Sequence, residues 1–86
     1  MPKIIYTAHA QERIAQRKIK IEWIEEVLSC PKLTVKDTFD SALLHFIGVI
    51  VDVNKESNVL RVVTRMTEGN VFIITAYFDR RLRGKL

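Results

Sequence analysis

The chain has 86 residues, with 14 Lys and Arg against 10 Asp and Glu and a single cysteine, Cys30. That length holds one small domain, 1–86, and leaves no room for a second. The net charge of +4 permits a polyanionic partner without demanding one, and one cysteine excludes an internal disulfide and fits a reducing, cytoplasmic setting.

Along the chain, "MPKIIYTAHA" lacks the long apolar core of a signal peptide. Lys3 to Tyr6 is a short β-type run, and Thr7 is placed to cap the helix that follows. Ala8 to Arg17 suits that helix, with Ala10 and Ile14 turned to the core and His9, Arg13, Gln16 and Arg17 on a neighbouring arc. A second helix is expected from Glu22 to Ser29, where Trp23, Ile24, Val27 and Leu28 repeat with helical period and Pro31 stops it.

Everything after Pro31 reads as extended. Leu33 to Asp37 is a weak strand, Leu43 to Val53 a long one, and Val59 to Thr67 and Val71 to Phe78 form two more. "NKESN" and "EGN" supply the turns between the last three. Gly48 inside the long strand predicts a bulge or sharp bend. The run Ala42 to Val53 is too short to cross a bilayer and contains His45 and Asp52, so no membrane partner is expected. The order β-α-α-β-β-β-β makes an α+β domain, with two N-terminal helices packed on one face of a mainly antiparallel sheet. Residues 79–86, "DRRLRGKL", form a basic tail.

Alternation assigns the faces of the last hairpin. Phe72, Ile74, Ala76 and Phe78 are expected under the helices, with Leu60, Val62 and Met66. Arg61, Arg65, Thr75 and Tyr77 then meet on the open face, a concentration of polar groups in the middle of a sheet. Pairing of the arginines with acids such as Asp52 or Glu56 is the plain alternative. A helix on one face cannot easily share a site with the centre of the other, so α-helical and sheet clusters unite only if the first helix lies at the sheet edge.

The chemistry-bearing residues are few. "HAQER" has an alanine and an arginine where a zinc helix needs Glu and a second His, so no metal is expected. There is no glycine-rich phosphate loop, and no cofactor is implied. Cys30 reads as a small buried cysteine, and His45, inside "LLHFIG", as a hydrogen-bonded core or edge histidine. The His9, Arg13, Arg17 stripe is either a solvated helix face or working equipment. In the second reading His9, in a first turn whose dipole opposes a protonated ring, takes a proton. Arginines a turn away then oppose the charge that grows during phosphodiester cleavage.

"TAHAQERIAQRKI", "IEEVLSCP" and "LRVVTR…GNVFIITAYF" together resemble a family of short uncharacterised bacterial domains. Its members open on H-x-x-x-R-φ-x-x-R-x-I and close on a "V-I-T-A-Y"-like strand. That family is similar to the RelE/ParE-like toxins of the barnase–EndoU–colicin–RelE fold. The resemblance implies a metal-independent endoribonuclease that cuts RNA by 2′-hydroxyl attack, encoded beside a cognate antitoxin. Carried over by position, it implies His9, Arg13, Arg61, Thr75 and Tyr77 as catalytic residues. Arg17, Arg65, Arg80, Arg81 and Arg83 are the corresponding RNA-binding set. The RNA could be ribosome-bound mRNA, and a homodimer is left open. Lys18 stands where glycine is frequent, Lys20 where Ser or Asp caps a helix, and "FDRR" where the strand ends in Y-x-P. A non-catalytic module that binds RNA or a protein such as gyrase, or an inactive family member, is the alternative.

Overall fold

The computed structural model describes residues 3–86; Met1 and Pro2, the start of the stretch read as lacking a signal-peptide core, lie outside it. Its elements are β1 (Lys3–Tyr6), α1 (Ala8–Gln16), α2 (Ile21–Ser29), β2 (Leu33–Lys36), β3 (Leu43–Val51), β4 (Ser57–Thr67) and β5 (Asn70–Phe78). They form a five-stranded sheet in the order β1-β5-β4-β3-β2, with β1 parallel to β5 and the other pairs antiparallel. The fold is the expected α+β one, with its elements in the expected order. No helix among the described residues is long and apolar enough to cross a membrane.

Local chemistry accounts for the ends of α1. The Thr7 hydroxyl accepts from the Ala10 amide at 3.1 Å and donates to the Ile73 carbonyl at 3.0 Å, so one side chain caps the helix and ties it to β5. At the other end Lys18 takes a left-handed φ of 55°. The Ile19 amide reaches back to the Ile14 carbonyl at 3.0 Å and the Lys18 amide to Ala15 at 3.3 Å, the pair of bonds that closes a Schellman turn. Glycine is frequent at that position because it has no Cβ to strain there; here a lysine bears the cost. Cys30, at the end of α2, is exposed and not buried as expected, because it caps the helix and turns the chain toward Pro31.

The core lies between the helices and one face of the sheet. Ala10, Ile14, Ile19, Ile24 and Val27 pack against Ile50, Leu60, Val62, Val71, Ile73 and Ala76, all buried. Two expectations fail here, for one reason each. Gly48 makes no bulge: the β3–β4 register runs unbroken from Leu43↔Arg65 to Val51↔Ser57. It is glycine because α2 sits directly above, where an added Cβ would stand 3.0 Å from a Val27 methyl. The bulge is in β5 instead. Val63 pairs with Thr75 and Thr64 with Ile73, leaving Ile74 as the extra residue. Alternation therefore changes phase at Ile74. Val71 and Ile73, not Phe72 and Ile74, lie under the helices, while Phe72 pairs with Arg65.

Candidate functional site

The open face carries a chain of polar side chains that are largely buried and bonded to one another, where the uncovered face of an antiparallel sheet ordinarily carries solvated ones. Arg61 on β4 faces Tyr77 on β5, and His45 on β3 lies two residues, and so on the same face, from Ile47, Arg61's partner on that strand. His45 is 9% exposed, yet both ring nitrogens are engaged. Nε2 lies 2.7 Å from Asp37 Oδ1 and Nδ1 lies 2.9 Å from Arg61 Nη1. A guanidinium can only donate, so Nδ1 accepts, and the ring proton is assigned to Nε2, facing Asp37. Arg61 is held on its other side by Asp79, with Nε at 3.0 Å and Nη2 at 2.8 Å from Oδ2. Asp37, His45, Arg61 and Asp79 thus form one continuous line of hydrogen bonds.

The two carboxylates are tuned to stay ionised. The hydrogen bond from His45, with the Phe39 and Asp40 amides, holds Asp37 below the usual carboxylate range. Burial pushes Asp79 up, but the Arg61 hydrogen bond and charge, aided by the Arg81 and Leu82 amides, outweigh it and leave the carboxyl lowered.

His45, Arg61 and Asp79 of this line, with Tyr77, form the floor of an open groove of about 520 Å³. Thr38 and Phe39, from the loop before β3, make one wall; Arg81 and Leu82, from the tail, make the other. Tail residues fold back over the sheet end. The Asp79 amide donates to the Val59 carbonyl at 2.8 Å, and Arg83 Nε donates to the Ser57 carbonyl at 3.2 Å, beside Glu56. Arg80 and Arg83 border a neighbouring hollow with Asn58 and Asp79. Arg65 stands further along the face, 3.5 Å from Asp40. The acids that meet Arg61 and Arg65 are therefore Asp79 and Asp40, not Asp52 or Glu56.

A family model described as "Domain of unknown function (DUF4258)" matches residues 6–78. The chain belongs to that family. No curated protein and no solved structure matches it. The DUF4258 span takes in Asp37, His45, Arg61 and Tyr77 but stops short of Asp79 and Arg81. One carboxylate that fixes Arg61, and one wall of the groove, thus come from beyond the matched segment.

The residues expected from the DUF4258 helix part company. Arg17 Nη1 donates to the Ala76 carbonyl at 2.8 Å and lies 3.3 Å from the Thr75 hydroxyl, with its guanidinium carbon 6.0 Å from the centre of the Tyr77 ring. It can do so because β1 pairs only with Asn70 to Ile73, leaving the rest of β5 as a free edge. Arg17 wraps that edge and joins the open-face group with Thr75, Tyr77 and Arg61. Arg13 instead bonds Gln16 at 3.2 Å on its own helix. His9, in the first turn, is exposed and borders none of the groove. Sequence reasoning passed over Asp37 and Asp79; it read His45 as a hydrogen-bonded core or edge histidine, which it is, but did not join it to Arg61. The available signal was parity: in a hairpin centred on "NKESN", His45 falls on the same face as Arg61. Among the described residues, no group of three His, Cys, Asp or Glu converges as metal ligands would.

Proposed function

We propose that this DUF4258 domain is a toxin-type, metal-independent endoribonuclease whose site is the open-face groove, with His45 in place of His9 as the base. The observation that carries this reading is the Asp37–His45–Arg61 line, at 2.7 and 2.9 Å, with His45 and Arg61 on the floor of a groove shared with Arg81 and Tyr77. An imidazole whose far N–H is fixed by a carboxylate is oriented to accept a proton at the opposite nitrogen, and the carboxylate stabilises the imidazolium that results. In the free protein that nitrogen is occupied by Arg61. A phosphodiester entering the groove competes for Arg61 Nη1 and so exposes the Nδ1 lone pair. Asp79 keeps the rest of the guanidinium in place.

His45 Nδ1 then takes the ribose 2′-hydroxyl proton, the 2′-oxygen attacks the adjacent phosphorus, and the P–O5′ bond breaks. The proton passes to the departing 5′-oxygen, giving a 2′,3′-cyclic phosphate and a 5′-hydroxyl end. Arg61, Arg81 and Arg17 oppose the charge that builds on the phosphoryl oxygens. The Tyr77 phenol and Thr75 hydroxyl position the phosphate. A cognate antitoxin that covers the groove would silence it.

Mapping of RNA 5′ ends after induced expression tests this. The wild type should create new 5′-hydroxyl ends, and His45→Gln and Arg61→Lys should lower their yield about a hundredfold, with melting temperature recorded for each variant. His9→Ala should cut as the wild type does. Growth arrest without new RNA ends would instead favour a non-catalytic binder. Loss of cutting in His9→Ala with retention in His45→Gln would return the site to the helix.

A further inference from the structure

Phe39 is 97% exposed, more than any other large hydrophobic residue among those described. A single exposed apolar side chain needs no explanation in itself; its setting does. The backbone beneath the ring is pinned. The Phe39 and Asp40 amides both donate to Asp37 Oδ2 at 3.0 Å, and the other oxygen of that carboxylate holds His45. At the far end of the loop the Ala42 amide donates to Asp40 Oδ1 at 2.9 Å. Phe39 borders the same groove as His45, Arg61 and Tyr77. One carboxylate therefore sets the distance between an aromatic ring in water and the line of donors on the groove floor. Arginines that bind phosphate, with a free aromatic face beside them, are what an unpaired nucleotide needs: one group for the backbone, one for the base.

We propose that Phe39 is the stacking platform for an unpaired base of single-stranded RNA whose phosphate lies on Arg61 and Arg81. The inference rests on the RNA reading above but requires no cleavage. It makes the site selective for single strands, since bases inside a duplex are already stacked on one another.

The test compares two probes on the intact chain: a short unstructured RNA with a fluorescent end label, and inorganic polyphosphate, which offers phosphates without bases. Phe39→Leu should weaken RNA binding about tenfold. It should leave polyphosphate binding, the salt dependence of RNA binding and the melting temperature unchanged. Phe39→Trp should restore RNA affinity. Equal RNA affinity in Phe39→Leu and wild type would overturn the platform, as would a parallel loss for both probes. If the wild type binds neither probe, the platform and the RNA reading fall together. If binding depends on Phe39 but no RNA is cut, the platform stands and the nuclease reading alone falls.

Discussion

The two faces of the sheet are built on opposite principles, and neighbouring residues on one strand show it. Leu60 points to the helices and is fully buried in the apolar cluster beneath them. Arg61 points the other way into a line of side chains from three further segments: His45 on β3, Asp79 in the tail and, through His45, Asp37 before β3. The helix face is held by area removed from water, which is indifferent to orientation. The open face buries Ile47, Val59 and Val63 as well, but its polar centre is held by directional bonds between groups that lose much if one partner is removed. Stability should be concentrated on the first and chemistry on the second.

Truncating each neighbour in turn separates the two. Leu60→Ala should cost about 3 kcal/mol of stability, through lost burial and a cavity, while the folded fraction keeps the RNA binding proposed for the groove. Arg61→Ala should cost less, about 2 kcal/mol, mainly by stranding Asp79, yet remove RNA binding by the folded protein. Chemical denaturation with parallel binding isotherms checks both. A Leu60→Ala protein that stays folded but loses RNA affinity would break the division.

Acid sharpens the same contrast, because Asp37 and Asp79 belong to the open face. Both carboxyls are lowered in the folded protein from the ordinary aspartate value of 3.8, so their contribution is complete above that value. It is lost as pH falls through the lower folded values. The melting temperature should therefore hold from neutral pH to about pH 4 and drop below it. Asp79→Asn should start lower and fall less steeply. An unchanged slope in that variant would mean that other carboxylates govern acid unfolding.

The physical reasons for what was legible in the sequence follow the same line. Element order, the Thr7 cap and the α1 core residues Ala10 and Ile14 were readable because each depends on residues within a turn or two. The open-face gathering of Arg61, Thr75 and Tyr77 was readable because all three lie on the same side of the bulge, away from the β4–β5 turn, where Val63 pairs with Thr75 and Arg61 with Tyr77 and alternation runs unbroken. Phe72 and Ile74 were misplaced because a bulge is a choice between registers, decided by how well Val71 and Ile73 fill the space under α1 and α2. Gly48 carried a real signal, close approach, but whether a helix or a bend stood behind it depended on the packing of Val27. The Asp37–His45 and Arg61–Asp79 bonds join segments 8 and 18 residues apart. They follow only from the loop and tail geometry that brings them over the sheet.

One position lies where the two regions meet. Arg17 closes α1 and reaches over the free edge of β5, and Lys18, the next residue, carries the left-handed φ of 55°. A lysine there is strained where a glycine is not. Lys18→Gly should relieve the strain, less the extra freedom glycine gains in the unfolded chain, for a net gain of about 1 kcal/mol. Because the turn keeps its two back-bonds from Ile19 and Lys18, the Arg17 guanidinium should stay on the Ala76 carbonyl. RNA affinity should then be unchanged apart from the small effect of one fewer surface charge, which salt would screen. If affinity falls well beyond that, the strain at Lys18 holds Arg17 in place, and the helix end belongs to the open face.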